Sequence, residues 1–100
     1  MHNEKELEKK LKRLFVSMRG RENRIHIINL LRNGPLNANQ IATALQVNNR
    51  TVIHHIEVLC QAELIKRTQN SYNRKYSLTT EMENKIFYFD ALTKQKPQSL

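Results

Sequence analysis

Two short helices separated by three residues are the feature that most restricts the fold of this 100-residue chain. Asn37 precedes the first helix and Gln40 stands at its third position, which is the pattern of a capping box. This helix should run over residues 38–45, and Asn48 can cap a second helix directly after the connection 46–48. So short a connection predicts that the two helices pack against each other at a fixed angle.

Helices with apolar stripes are predicted on both sides of this pair. The N-terminal helix carries leucines at the spacing of a short coiled-coil seam and should end at Gly20. The next helix, 22–33, is apolar on more than one face, which indicates a central, buried position. Thr80 with Glu83 predicts another capping box, and the last helix that it begins should extend to about residue 96.

A β-hairpin is predicted after the second helix of the pair. Residues 64–69 read as an extended segment, and 70–73 (NSYN) have the composition of a turn. Tyr76 and Leu78 alternate with polar residues over 74–79, as in a half-buried strand. This hairpin would be the wing of a winged helix-turn-helix.

The predicted fold class is therefore mainly α with a small β-hairpin wing, an α+β arrangement. The helix-turn-helix and wing should form a central domain over 21–80. An N-terminal amphipathic helix over 1–20 and a C-terminal helix over 81–96 would flank this domain and serve packing or dimerisation.

The net charge of +8 is concentrated in two segments of the chain. Residues 1–24 carry eight Lys or Arg against four Glu, and residues 65–80 carry four Lys or Arg and no acid. A localised basic stripe is typical of a protein that binds a polyanion, most often a nucleic acid. The alternative is that the positive charge serves solubility, and that the hairpin lysines only protect a strand edge.

The stretch 45–65, LQVNNRTVIHHIEVLCQAELI, resembles the arsenical-resistance-regulator (ArsR)-type winged-helix transcription regulators of archaea and bacteria. The resemblance covers about residues 22–80 and implies a DNA-binding regulator. The positions that carry it are Leu45, Val47, Asn48, Thr51, Val52, His55, Val58, Leu59, Ala62, Leu64 and Ile65. Two residues depart from the pattern: Glu57 replaces a basic residue, and Glu63 replaces a helix-ending glycine, which implies strain if its φ is positive.

The expected function is sequence-specific binding of double-stranded DNA by a homodimer. The recognition helix, about 49–62, would enter the major groove, and the wing, 65–79, would contact the backbone or the minor groove. The predicted DNA contacts are Asn37 and Asn39 at the start of the preceding helix; Asn48, Asn49, Arg50, Thr51, Ile53, His54 and Glu57 on the recognition helix; and Lys66, Arg67, Asn70, Arg74 and Lys75 in the wing. The rival hypothesis is a winged-helix module that binds a protein within a transcription or chromatin assembly.

Dimerisation is expected through the two terminal helices, because one face of each helix cannot hide all its apolar residues against so small a core. The predicted interface residues are Leu7, Leu11, Leu14 and Met18 in the first helix and Met82, Ile86, Phe89 and Leu92 in the last. The alternative is that both helices simply cover their own domain. A dimer would place two recognition helices about one DNA turn apart, roughly 34 Å.

No cofactor, metal, membrane or catalytic role is expected. The two glycines cannot build a phosphate-cradling loop, and no nucleophile and base share a supporting context. No apolar run nears the roughly 18 residues of a membrane span, and the N-terminus lacks the apolar core of a secretory signal. The single cysteine, Cys60, forms no internal disulfide, so a cytoplasmic, nucleoid-associated protein is expected.

The adjacent histidines should face different directions, because neighbouring residues on a helix point about 100° apart. They are therefore a poor chelating pair. His54 falls on the exposed side with Asn49 and Arg50, where a protonated ring would gain affinity for phosphate. His55 lies at the edge of the buried face and is expected to be structural or to touch a backbone phosphate.

Overall fold

The computed structural model of the protein describes residues 4–68 and 74–94. Within these ranges the chain forms six α-helices, one π-helical turn and three short strands. Their bounds are α1 Glu4–Lys12, the π-helical turn Arg13–Ser17, α2 Arg21–Leu31, β1 Leu36–Asn37, α3 Ala38–Leu45, α4 Asn49–Gln61, β2 Ile65–Arg67, β3 Lys75–Leu78, α5 Thr80–Asn84 and α6 Ile86–Thr93. The predicted class, mainly α with a small β-hairpin wing, is confirmed.

Side-chain caps fix both helices of the helix-turn-helix. The Asn37 side chain accepts a hydrogen bond from the Gln40 backbone N–H at 2.8 Å, and the Gln40 side chain accepts one from the Asn37 N–H at 2.8 Å. The Asn48 side chain accepts from the Thr51 N–H at 2.8 Å, which starts α4. Gln46 takes a left-handed conformation with φ 59°, so the chain reverses within the three-residue connection.

The sheet is antiparallel, with strand order β1-β3-β2. Ile65 pairs with Leu78 and Arg67 pairs with Tyr76, while Leu36 of β1 pairs with Tyr76 from the other side. The hairpin was predicted, but the third strand was not. Two residues before α3 are enough to complete the sheet, which ties the wing to the start of the helix-turn-helix.

One hydrophobic core receives side chains from every part of the chain. Phe15 from the π-helical turn and Phe89 from α6 meet edge to face with ring centroids 5.0 Å apart. Arg32, the residue that follows α2, donates two hydrogen bonds of 2.7 and 3.1 Å to Asp90 of α6. The terminal segments therefore pack on each other and on α2 rather than extending away from the core.

The terminal helices differ from the sequence prediction in their detail. The first helix widens into a π-helical turn before Gly20, and the last bends at Lys85, whose φ is −108° and ψ is 16°. Thr79, rather than Thr80, caps the last segment, because its hydroxyl accepts from the Met82 N–H at 3.1 Å. The predicted end near residue 96 lies outside the described residues.

Candidate nucleic-acid interface

Helix α4 has one buried and one exposed face. Val52, Ile56 and Leu59 are buried in the core, as their spacing predicted. The opposite side exposes five of the predicted contact residues, namely Asn49, Arg50, Ile53, His54 and Glu57. Amide, guanidinium, imidazole and carboxylate groups on one exposed face are the groups that hydrogen-bond to base edges.

The two histidines separate as the helical phase predicted. His54 is exposed, whereas His55 is only 6 % exposed. The Nδ1 atom of His55 lies 3.4 Å from the Nη1 atom of Arg24. Burial, the Arg24 charge and the nearby His54 together lower the pKa of His55, with burial the largest cause. His55 is therefore an interior residue, and of the pair only His54 faces outward.

A cleft of about 950 Å³ separates α4 from the sheet. Asn49, Ile53 and Glu57 border it on the α4 side, while Arg67 and Arg74 border it on the hairpin side. The acid that departs from the family pattern therefore lies in a cleft shared with two guanidinium groups. Groups of opposite charge therefore line the same cleft.

The three basic residues within the strands of the hairpin divide between two faces of the sheet. Arg67 pairs with Tyr76 and shares the face of the buried Ile65 and Leu78, while Lys66 pairs with Ser77 on the other face. Lys75 begins β3 and shares the face of Ser77, and Arg74 lies immediately before the strand. The sequence treated these cations as one run, but only the two arginines border the cleft. Asn70, at the predicted tip, lies outside the described residues.

The asparagines near the helix starts have distinct roles. The side-chain oxygens of Asn37 and Asn48 are engaged in the caps described above. Asn49 donates from its side-chain nitrogen to the side-chain oxygen of Asn39 at 2.8 Å, which joins the start of α4 to the start of α3. Both residues of this bridge border the cleft. Thr51, also a predicted contact, is half-buried beside them.

Most residues predicted for a dimer interface lie inside the chain. Leu7, Leu11, Leu14, Met82 and Phe89 belong to its own buried core, so they offer little surface to a second copy. Ile86 and Leu92 are half-buried, and Met18 is exposed. The physical reason is that the two terminal segments cover each other, because α6 contacts both α1 and the π-helical turn. Phe87, at 87 % exposed, is the large apolar side chain that α6 presents outward.

The sequence prediction missed Arg24, which is 2 % exposed in the interior. A signal was present, because Arg24 precedes Ile27, Ile28 and Leu31 by three, four and seven residues and so lies on their buried face. It also missed Lys10, whose ammonium donates to the Ala62 carbonyl at 2.8 Å at the end of α4.

Metal-ligating groups do not gather in the described part of the chain. No set of three or more His, Cys, Asp or Glu side chains in residues 4–68 and 74–94 is placed to hold an ion. Cys60 is half-buried at the edge of the cleft, and burial raises the pKa of its thiol. Within the same ranges no helix has both the length and the apolar character to cross a membrane.

The helix-turn-helix, the cleft and the basic hairpin together define a winged helix-turn-helix protein. The sequence model of the family described as the N-terminal domain of the methanogenesis regulatory protein FilR1 matches residues 8–82, which are 75 of the 100 residues. The chain belongs to this family, which is one of winged-helix transcription regulators. The match is to FilR1, so the narrower assignment to the ArsR type stays a prediction.

Solved structures of winged-helix regulators have the same fold. HlyU from Vibrio cholerae superposes with a TM-score of 0.72 at 19% identity, over 95% of this chain and 100% of that one. YusO from Bacillus subtilis gives a TM-score of 0.64 at 25% identity, over 90% and 70%. A mutant of MepR from S. aureus, bound to an oligodeoxyribonucleotide, gives 0.65 at 25% identity, over 89% and 66%. No curated protein has a significant match to this sequence.

Proposed function

We propose that this transcription regulator is a homodimer that binds specific sequences of double-stranded DNA, with α4 in the major groove and the hairpin on the backbone or in the minor groove. The observation that carries the proposal is the exposed face of α4, which shares one cleft with Arg67 and Arg74. Such a regulator acts where the DNA is, in the nucleoid. The ArsR type is the narrower identity that we propose from residues 45–65.

The side chains on α4 suit base readout. Arg50 can contact guanine with two hydrogen bonds, and Ile53 can contact a thymine methyl group. Glu57 can accept from a cytosine amino group. The contact between Asn39 and Asn49 supports the proposal, because it fixes the start of α4 relative to α3 before any DNA arrives.

The hairpin suits phosphate contacts. Arg67 and Arg74 stand across the cleft from α4, so a DNA strand beside α4 would pass close to both guanidinium groups. The MepR structure shows a related fold with an oligodeoxyribonucleotide bound, which supports the same use of this fold here.

Dimerisation is proposed through apolar groups that remain outside the core. Phe87 is the main candidate on α6, and Met18 and Val16 are exposed at the π-helical turn, which α6 contacts. These three residues replace the buried leucines as the groups that a second copy can reach. The geometry is that of a two-fold dimer on a pseudo-palindromic site.

Selection of bound duplexes from a random pool, followed by titration of two variants, tests this proposal. Arg50→Ala should relax the base preference at one position, because its contact is to a base edge. Arg74→Ala should weaken binding to all sequences alike and reduce the salt slope by about one, because its contact is to phosphate. Lys94→Ala, which removes an equal charge at the end of α6, should change neither property.

Failure of the selection to enrich any sequence would contradict sequence-specific binding. Identical behaviour of the Arg50 and Arg74 variants would contradict the division between base and phosphate contacts.

The rival function, a module that binds a protein partner, is favoured by one observation, the outward position of Phe87. The molar mass in solution with and without duplex DNA separates the two functions. A monomer that ignores DNA at low salt and captures a protein through Phe87 would establish the rival. A dimer that binds DNA and dissociates on Phe87→Ala would establish the proposal.

A further inference from the structure

Arg24 joins three separate segments in the interior. Its Nε atom donates to the Leu14 carbonyl at 3.0 Å, and its Nη2 atom donates to the Arg19 carbonyl at 3.0 Å. Its Nη1 atom lies 3.4 Å from Nδ1 of His55 on α4. One guanidinium therefore connects α2, the end of the N-terminal segment and the DNA-facing helix.

The π-helical turn creates the need for this donor. The turn closes with a hydrogen bond from the Met18 N–H to the Arg13 carbonyl at 3.1 Å, after which Met18 becomes extended. The last carbonyls of a helix have no partner within the helix, and the Leu14 carbonyl is one of them. A planar guanidinium with several fixed N–H groups can satisfy such carbonyls and still reach a third acceptor.

The contact with His55 requires a neutral ring. Arginine is always protonated and can only donate, so Nδ1 of His55 must be the acceptor and the ring proton must be on Nε2. A protonated ring has no acceptor and would place a second positive charge against Arg24. The charged groups that face the ring are Arg24 from α2 and His54 from α4, and both oppose its protonation.

The His55 ring also has little space in which to move away from Arg24. The connection before α2 presents Gly20 to it, and a Cβ atom there would lie only 2.8 Å from Cε1 of His55. Gly20 has φ 83°, so its absence of a side chain serves both the backbone and this close approach. On α4 itself, the exposed His54 ring lies with its centroid 5.4 Å from that of His55.

We propose that Arg24 and His55 are positioning residues that fix the recognition helix to the π-helical turn, and that proton uptake by His55 releases this contact. The consequence for DNA rests on the function proposed above. Release would leave α4 held by its apolar face while its exposed side chains lose a fixed orientation. The two adjacent histidines then have different roles: the exposed His54 faces the DNA, and proton uptake by the buried His55 loosens the contact that orients α4.

The first measurement uses the full chain without DNA. NMR follows the ring signals of His54 and His55 as the pH falls from about 8 to about 5. Arg24→Met should raise the pKa of His55 toward its ordinary value, because it removes one facing cation. Arg24→Lys should raise it less, because the charge remains. A purely structural role would disturb the signals without moving this pKa.

The second measurement is DNA affinity against pH, with the duplex selected by the wild-type chain as the probe and the salt held constant. When the pH is lowered from about 7.5 to about 5.5, the DNA affinity of the wild type should fall about tenfold more than that of His55→Gln. A tenfold change in affinity corresponds to the free energy of about one hydrogen bond. His26→Gln is the matched control, because this exposed histidine of α2 belongs neither to the contact with Arg24 nor to the proposed DNA-binding face. This control should keep the wild-type loss in full.

Equal pH profiles for the wild type and His55→Gln would overturn the proposal, as would an unchanged His55 pKa in Arg24→Met. If Arg24→Met fails to fold, the Arg24→Lys and His55→Gln variants still decide. If no duplex binds at any pH, the proposed function is wrong. The contact between Arg24 and His55 is then tested by the NMR titration alone.

Discussion

The substitution Phe89→Ala tests whether Phe89 belongs to the core of its own chain or to an interface with a second copy. Phe89 is 0 % exposed and meets the Phe15 ring at 5.0 Å, so truncation removes a buried ring and an edge-to-face contact. Substitutions of this kind cost about 3–5 kcal/mol of the free energy of unfolding. That is a large part of the roughly 5–15 kcal/mol that stabilises an ordinary domain. With about 4 kcal/mol lost, the melting temperature should fall by roughly 16–32 °C.

The matched control is Phe87→Ala, two residues away on the same helix and 87 % exposed. At protein concentrations low enough for a monomer, its effect on the free energy of unfolding should stay within about 0.5 kcal/mol. At concentrations that favour the proposed dimer the loss should be larger, because Phe87 belongs to the proposed interface. Urea unfolding followed by circular dichroism measures both variants.

The loss for Phe89→Ala should be the same at protein concentrations about tenfold apart, because both rings belong to one chain. A loss below about 1 kcal/mol would refute the reasoning from burial, since no such buried ring is that inexpensive to remove. A loss that shrinks on dilution would show that a second copy, rather than this chain, covers Phe89.

Two further predictions concern the local structure around α4. Gly20→Ala should cost about 2 kcal/mol, because it combines a positive φ with a clash against His55, and it should shift the His55 ring signal in NMR. Gly34→Ala shares the positive φ but meets no atom within 4 Å, so a His55 signal that moves equally in both variants would contradict the contact. Asn48→Ala should cost about 1 kcal/mol in thermal unfolding, because α4 loses its cap, and Asn48→Ser should restore most of it. An Asn48→Ala variant as stable as the wild type would show that the cap is unimportant.

The helix-turn-helix was predictable because its signals are local. Asn37 and Asn48 cap the helices that their positions in the sequence indicated, and the facing of His54 and His55 follows from helical phase alone. The departure at Glu63 was also anticipated: its φ is 64°, so a non-glycine residue does occupy a left-handed position.

The remaining features depend on contacts between distant segments, which a pattern along one helix does not contain. The leucine seam over Leu7 to Leu14 was interpreted as surface for a second chain, yet α6 returns to cover it. The π-helical turn has no sequence signature of its own. Its Leu14 carbonyl accepts a hydrogen bond from Arg24, which is why this arginine is buried. The division of the hairpin cations was available from the two-residue period of a strand, which the interpretation as a single basic run overlooked.

Apolar packing alone leaves the rotation of a helix about its own axis loosely defined, because apolar side chains can pack almost equally well over a range of rotation angles. Around α4 three polar contacts remove that freedom: Asn39 at its start, Arg24 at its middle and Lys10 at its end. Each of these contacts is directional, so together they favour one rotation angle of α4. A turn of one residue would exchange the places of His54 and His55, and with them the chemistry that α4 shows to the outside. The three contacts therefore specify the rotation angle of α4, and this angle determines which of the two histidine side chains faces a partner.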